Sequence, residues 1–131
     1  MTKIKFKVEK LIRDKMPEIM RSKNIEVFER IMNQTEYLNA LKAKLIEEAN
    51  EVFEADSKEE LAEEIADILE VIEALAEANN IKLSTIHEIK NNKRNLKGGF
   101  EKKLYNSHVE INEDNSAINY YLNKSTKYPK I

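Results

Sequence analysis

The residues best suited to chemistry are five acids: Glu47, Glu48, Glu51, Glu64 and Asp67. Leu38, Leu41 and Leu45 begin an apolar row whose alternating steps of three and four lead to position 48 and then to Val52. Glu48 therefore stands where a helix buries an apolar side chain, and Glu51 lies next to it on the same face. A second row, Leu61, Ile68, Val71 and Leu75, is interrupted in the same way at Glu64, with Asp67 one turn further on. Each helix thus carries a carboxylate pair at i, i+3 on the edge of its buried stripe. Antiparallel packing can bring the two pairs together. Four carboxylates in a partly buried seam repel one another and need compensation. A hard divalent cation with oxygen ligands supplies it. Mg²⁺ or Mn²⁺ suits the donors better than zinc, because no His or Cys lies nearby. E-x-x-E and E-x-x-D also arise freely in acidic helices, and Glu54, Glu59, Glu63, Glu70, Glu73 and Glu77 are read as solvated. Interruption of both stripes at facing positions is what sets the four apart.

The distribution of charge agrees with this reading. The total is −2, yet residues 47–81 hold thirteen Asp/Glu against Lys58 alone. Residues 1–23 and 82–103 each carry a net +5. An acidic centre between two basic segments is the composition of a metal–phosphate site, although solvated helix faces produce charge runs too. Absence of cysteine excludes disulfides, thiol nucleophiles and Cys-ligated metals. The N-terminal MTKIKFKVEK has no apolar signal core, and no apolar run reaches the roughly 20 residues of a membrane span. A cytoplasmic location is therefore expected.

The elements that must position these residues are helices. Two glycines and two prolines in 131 residues are too few for a loop-rich β fold. Pro17 fits the first turn of a short helix. Thr35 is read as the N-cap of a long helix over roughly 36–56, and Ser57-Lys58-Glu59-Glu60 as a capping box opening another over roughly 58–78. Asn79-Asn80 ends the second long helix. Ser84 is read as the cap of a third, over roughly 85–97, which Gly98-Gly99 stops. Ile4–Val8 alternates apolar residues with Lys and predicts a short strand or extended arm. Ile25–Ile31 predicts a second short strand. The fold class is thus mainly α, an antiparallel helical bundle with short N-terminal strand segments. Two helices cannot enclose a core, so completion by dimerisation is expected. Residues 1–104 form one domain and 105–131 its irregular extension.

Glu47-Glu48-Ala49-Asn50-Glu51 and, twelve residues on, Glu64-Ile65-Ala66-Asp67 resemble the E-E-x-x-E…E-x-x-D signature of the MazG-like all-α nucleoside triphosphate pyrophosphatases. That superfamily includes phosphoribosyl-ATP pyrophosphohydrolase. Lys10-Leu11-Ile12-Arg13-Asp14-Lys15-Met16-Pro17 is similar to a K-L-V-R-D-K-I-P segment of one small branch. Lys93-Arg94-Asn95-Leu96-Lys97-Gly98-Gly99-Phe100 is similar to its K-R-x-x-R-G-G-F segment. Lys97 stands where that branch has Arg, a point charge in place of a bidentate fork. The resemblance covers about residues 8–104.

It implies Glu48, Glu51, Glu64 and Asp67 as ligands of Mg²⁺ or Mn²⁺, and a catalytic part for Glu47 and Glu48. Glu47 would assist a ligand, support the ligands from behind, or orient the water. Arg13, Lys15, Lys93, Arg94 and Lys97 are the candidate phosphate contacts. The reaction implied is attack of water on the α–β anhydride of a nucleoside triphosphate, with house-cleaning of noncanonical nucleotides as the role. Phosphoribosyl-ATP hydrolysis is the alternative substrate reading, and a non-catalytic helical interaction protein the alternative class. The expected partners are a nucleotide and further copies of the chain, as a homodimer or dimer of dimers. Stable nucleic-acid binding is not expected, because the carboxylates repel phosphate. His87 and His108 have no ligand-like spacing, and Tyr37 and Phe53 are read as core residues.

Overall fold

The computed structural model describes residues 2–131. Five helices run in the order α1 (Met16–Ser22), α2 (Gln34–Glu54), α3 (Lys58–Ala78), α4 (Leu83–Lys97) and α5 (Ile118–Leu122). The protein is mainly helical, and no strand occurs among the described residues. The chain divides into two compact units, Met1–Asn92 and Lys93–Ile131, with the division falling within α4.

The first unit is built on α2 and α3, the one extensive helix pair among the described residues. α2 starts two residues earlier than Thr35 would allow as its cap. Asn33 is the N-cap: its side chain accepts from the Glu36 N–H at 2.9 Å, and the Glu36 carboxylate accepts from the Asn33 N–H at 3.4 Å. Asn at position 33 thus satisfies the free amides first, and Thr35 falls inside the first turn. Ser57 caps α3 as read, accepting from the Glu60 N–H at 3.1 Å. The Glu60 carboxylate reaches back to the Asp56 N–H rather than to Ser57. Asn80 ends α3 in the left-handed region (φ 57°), and the Ile81 and Asn80 N–H groups donate to the carbonyls of Ala76 and Glu77. This is the Schellman closure, with Asn in place of the usual Gly. α4 begins at Leu83, so Ser84 lies in its first turn and not at its cap.

Only Ala55, Asp56 and Ser57 separate α2 from α3, so the two fold back antiparallel. The Gln34 side chain donates to the Ala78 carbonyl, tying the start of one helix to the end of the other. Seven residues in from that tie on each helix lie Leu41, 2% exposed, and Val71. They form the core together with Ala76. Seven residues further in on each helix lie Glu48 and Glu64. The core and the acids therefore share one seam, two turns apart.

The two expected strand segments are not strands. Ile4–Val8 and Ile25–Ile31 have no regular structure, and Ile4, Phe6, Phe28 and Ile31 are exposed. Alternation makes a strand only where another strand accepts its backbone bonds, and the described residues of the first unit offer none. Ile4–Val8 is the extended arm of the two alternatives. Phe53 is also exposed rather than in the core.

The second unit contains the end of α4 and the short α5. Gly98 adopts φ +84° and its N–H donates to the Arg94 carbonyl, closing the helix. Tyr120, Tyr121 and Tyr128 pack on one another with centroids 5.1–5.9 Å apart. Lys124 lies 4.6 Å over the Tyr120 ring. The tail is therefore more organised than its composition suggests.

Candidate metal centre

Four acids meet on the α2–α3 seam. One carboxylate oxygen each from Glu48, Glu51, Glu64 and Asp67 can be chosen so that all four lie within 4.8 Å of one another. The i, i+3 spacing aligns each pair along its helix, and the antiparallel turn sets the pairs opposite. Glu48 is 6% exposed, the one buried charged residue among those described. Its Oε2 and that of Glu64 are buried without a hydrogen-bond partner. Native structures rarely leave such atoms unpaired unless something else binds there.

Electrostatics follow from this crowding. Burial pushes the Glu48 carboxyl above the ordinary glutamate range, and the charges of Glu51 and Asp67 add to the rise. The Glu51 carboxyl is raised chiefly because its protonated form can donate to Glu64, and then by burial. The crowding therefore disfavours the charged form of Glu48 and Glu51. All-oxygen donors of this kind could hold a hard cation.

Three cations sit around the cluster. Arg13 donates to Asp67 at 2.7 Å. Lys44 lies 3.1 Å from Glu47 and 3.5 Å from Glu48. Lys10 donates to Glu47 at 2.8 Å. Glu47 stands outside the group of four, and its hydrogen bond with Lys10 holds its carboxyl below the usual range. Lys10, Lys44 and Glu47 line a cavity of about 280 Å³ with Leu11, Ala40, Ala43 and Glu9. The candidate phosphate contacts separate into two groups. Arg13 joins the cluster and Lys15 caps α1, both in the first unit. Lys93, Arg94 and Lys97 lie in the second unit, on the last turns of α4, where Arg94 pairs with Glu101. Gly99 leaves room for that pair, since a Cβ there would strike the Arg94 guanidinium and the Glu101 carboxylate.

Lys10 and Lys44 were not among the site residues read from sequence. Lys44 was detectable, since it precedes Glu47 and Glu48 by three and four residues on one helix. Lys10 sits in an irregular segment, where spacing carries no such information.

The phosphoribosyl-ATP pyrophosphohydrolase family matches residues 8–94, about two thirds of the chain and the whole carboxylate cluster. The chain belongs to this family. It is thereby part of the MazG-like all-α nucleoside triphosphate pyrophosphatase superfamily, and its general activity is nucleotide pyrophosphohydrolysis. Comparison with curated proteins and with solved structures returns no match. No described helix is long and apolar enough to cross a membrane.

Proposed function

We propose that the chain is a Mg²⁺-dependent hydrolase that cleaves the α–β anhydride of a nucleoside triphosphate to the monophosphate and pyrophosphate. The observation that carries this reading is the convergence of four carboxylates with two unpartnered buried oxygens. Glu48, Glu51, Glu64 and Asp67 would hold the ion, with Mn²⁺ able to replace Mg²⁺. Bound there, the ion would supply acidified water, polarised phosphoryl oxygens and countercharge for the substrate.

The chain's own residues do the rest. A bound cation would favour the ionised form of Glu48 and Glu51, which burial disfavours. Glu47, kept anionic by Lys10 and Lys44, is suited to accepting a hydrogen bond from water and poorly suited to holding a proton. This favours an orienting role for it. Arg13 and Lys15 supply positive charge in the first unit, while Lys93, Arg94 and Lys97 are phosphate contacts on the strength of their motif.

Phosphoribosyl-ATP is the second substrate reading, favoured by the family match. House-cleaning of noncanonical nucleotides remains the first. Self-association into a homodimer or a dimer of dimers belongs to the same proposal. Leu61, Ile65 and Leu69 lie partly exposed at one-turn spacing along α3, an apolar row suited to a second copy. The cytoplasm is the proposed location.

The test is pyrophosphate release from a panel of triphosphates and phosphoribosyl-ATP, with Mg²⁺ or EDTA, for wild type and Glu48→Gln. Release from triphosphates that needs Mg²⁺ and Glu48 supports the first reading. Release from phosphoribosyl-ATP alone replaces it with the second. No release from any substrate overturns both.

A further inference from the structure

Arg13 lies in the irregular segment before α1, and Asp67 on α3 is 54 positions away. Their contact at 2.7 Å spends a guanidinium on one of the four clustered acids. A charge-assisted bond of this kind uses the acceptor lone pairs that a hard cation would use. Asp67 cannot serve both at full strength. The segment has a second anchor, Lys10 to Glu47 at 2.8 Å, which engages an acid outside the group of four. Lys44 is anchored differently again, being mostly buried on the same helix as its partners. Of the three neighbouring cations, Arg13 alone combines a bond to a clustered acid with a solvent-exposed side chain on a loop.

We propose that Arg13 is a displaceable counter-ion: it occupies Asp67 in the metal-free chain, and entry of the divalent ion releases its guanidinium. The inference rests on the metal site proposed above. Arg13, a candidate phosphate contact, is then free to meet an anion only once the ion has bound. Binding is ordered, metal before nucleotide, with the Lys10–Glu47 bond keeping the segment beside the cluster. No covalent step is involved. One ion pair opens and one coordination bond forms at the same carboxylate.

The experiment is titration of the full chain with Mn²⁺ alone, followed by calorimetry and by the rate of phenylglyoxal modification at Arg13, read by peptide mass spectrometry. Wild type, Arg13→Gln, Arg13→Lys and Lys10→Gln are compared. Arg13→Gln should bind Mn²⁺ about threefold to tenfold more tightly, because the ion no longer competes with a resident cation. Lys10→Gln should differ from wild type by less than Arg13→Gln does. In wild type, Mn²⁺ should speed modification of Arg13 by phenylglyoxal, because its guanidinium leaves Asp67. Arg13→Lys separates displacement from distant charge, since it keeps the charge but loses the fork. Its affinity should fall between the other two.

Arg13→Gln binding Mn²⁺ no more tightly than wild type, with circular dichroism unchanged, overturns the proposal and leaves the metal site standing. Wild-type affinity in Arg13→Lys together with an unchanged rate of wild-type Arg13 modification on Mn²⁺ binding also overturns it, because only through-space repulsion would remain. Wild type that binds no Mn²⁺ overturns the metal site, and this inference with it.

Discussion

The α2–α3 hairpin and the unit formed by residues 93–131 handle charge in opposite ways. In the hairpin, acids from two helices converge and one of them, Glu48, is buried. Their compensation comes partly from far along the chain, through Arg13 and Lys10. In the second unit the named interactions are short-range. Arg94 pairs with Glu101 seven residues on, and the tyrosine cluster spans residues 120–128. Long-range packing can force like charges together and hold them under strain, which gives a site a reason to bind something. Local pairing cannot, since each charge can find its own partner or water. The hairpin is accordingly the proposed chemical centre, and the 93–101 segment a source of exposed positive charge.

The sharpest break of this comparison is Glu48→Gln. Pyrophosphate release should fall about a thousandfold or more with loss of a metal ligand. The same change should raise the melting temperature of the metal-free chain, because it removes a buried charge from a repelling group. A lower melting temperature would show that Glu48 is not under electrostatic strain. Asp67→Asn should cost about a hundredfold in activity, since it weakens a partly exposed ligand. Calorimetry with Mn²⁺ checks that its affinity falls alongside.

Arg94→Ala tests the other region. About a tenfold loss of activity is expected from one missing phosphate contact, with Mn²⁺ affinity unchanged. The melting temperature should stay where it is, because the Arg94–Glu101 pair is exposed. Ser57→Ala should cost about 1 kcal/mol of stability through the lost cap of α3, read by urea denaturation, with kcat nearly intact.

The smallest effect is in pH. Glu48 and Glu51 titrate above the ordinary range in the folded chain, so folding takes up protons there. Their stabilising contribution is present below the ordinary carboxylate range and is lost as pH rises through their raised values. Without added metal the chain should therefore melt at progressively lower temperature as pH rises above the ordinary carboxylate range, and saturating Mg²⁺ should reverse that trend. Glu47 works in the other direction, and its contribution disappears only as pH falls below the ordinary range.

Much of the hairpin was readable beforehand because helices announce themselves locally. Ser57 and the Asn79-Asn80 pair marked the ends of α3, and the interruption of two apolar rows marked Glu48 and Glu64. Alternation misled at Ile4–Val8 and Ile25–Ile31, since a strand exists only with a partner and none is present among the described residues. The cap of α2 was misplaced by two residues because Asn33 and Thr35 are both competent, and the reciprocal bond with Glu36 decides between them.

The sequence by itself determined that four carboxylates would lie in pairs along two helical stripes, because a 3.6-residue period converts spacing directly into direction. Tertiary structure alone decided which cations distant in the chain meet those acids and their neighbour Glu47. Arg13 and Lys10 come from an irregular segment, where no period relates position to direction. Only the packing of that segment on the hairpin sets Arg13 against Asp67 and Lys10 against Glu47.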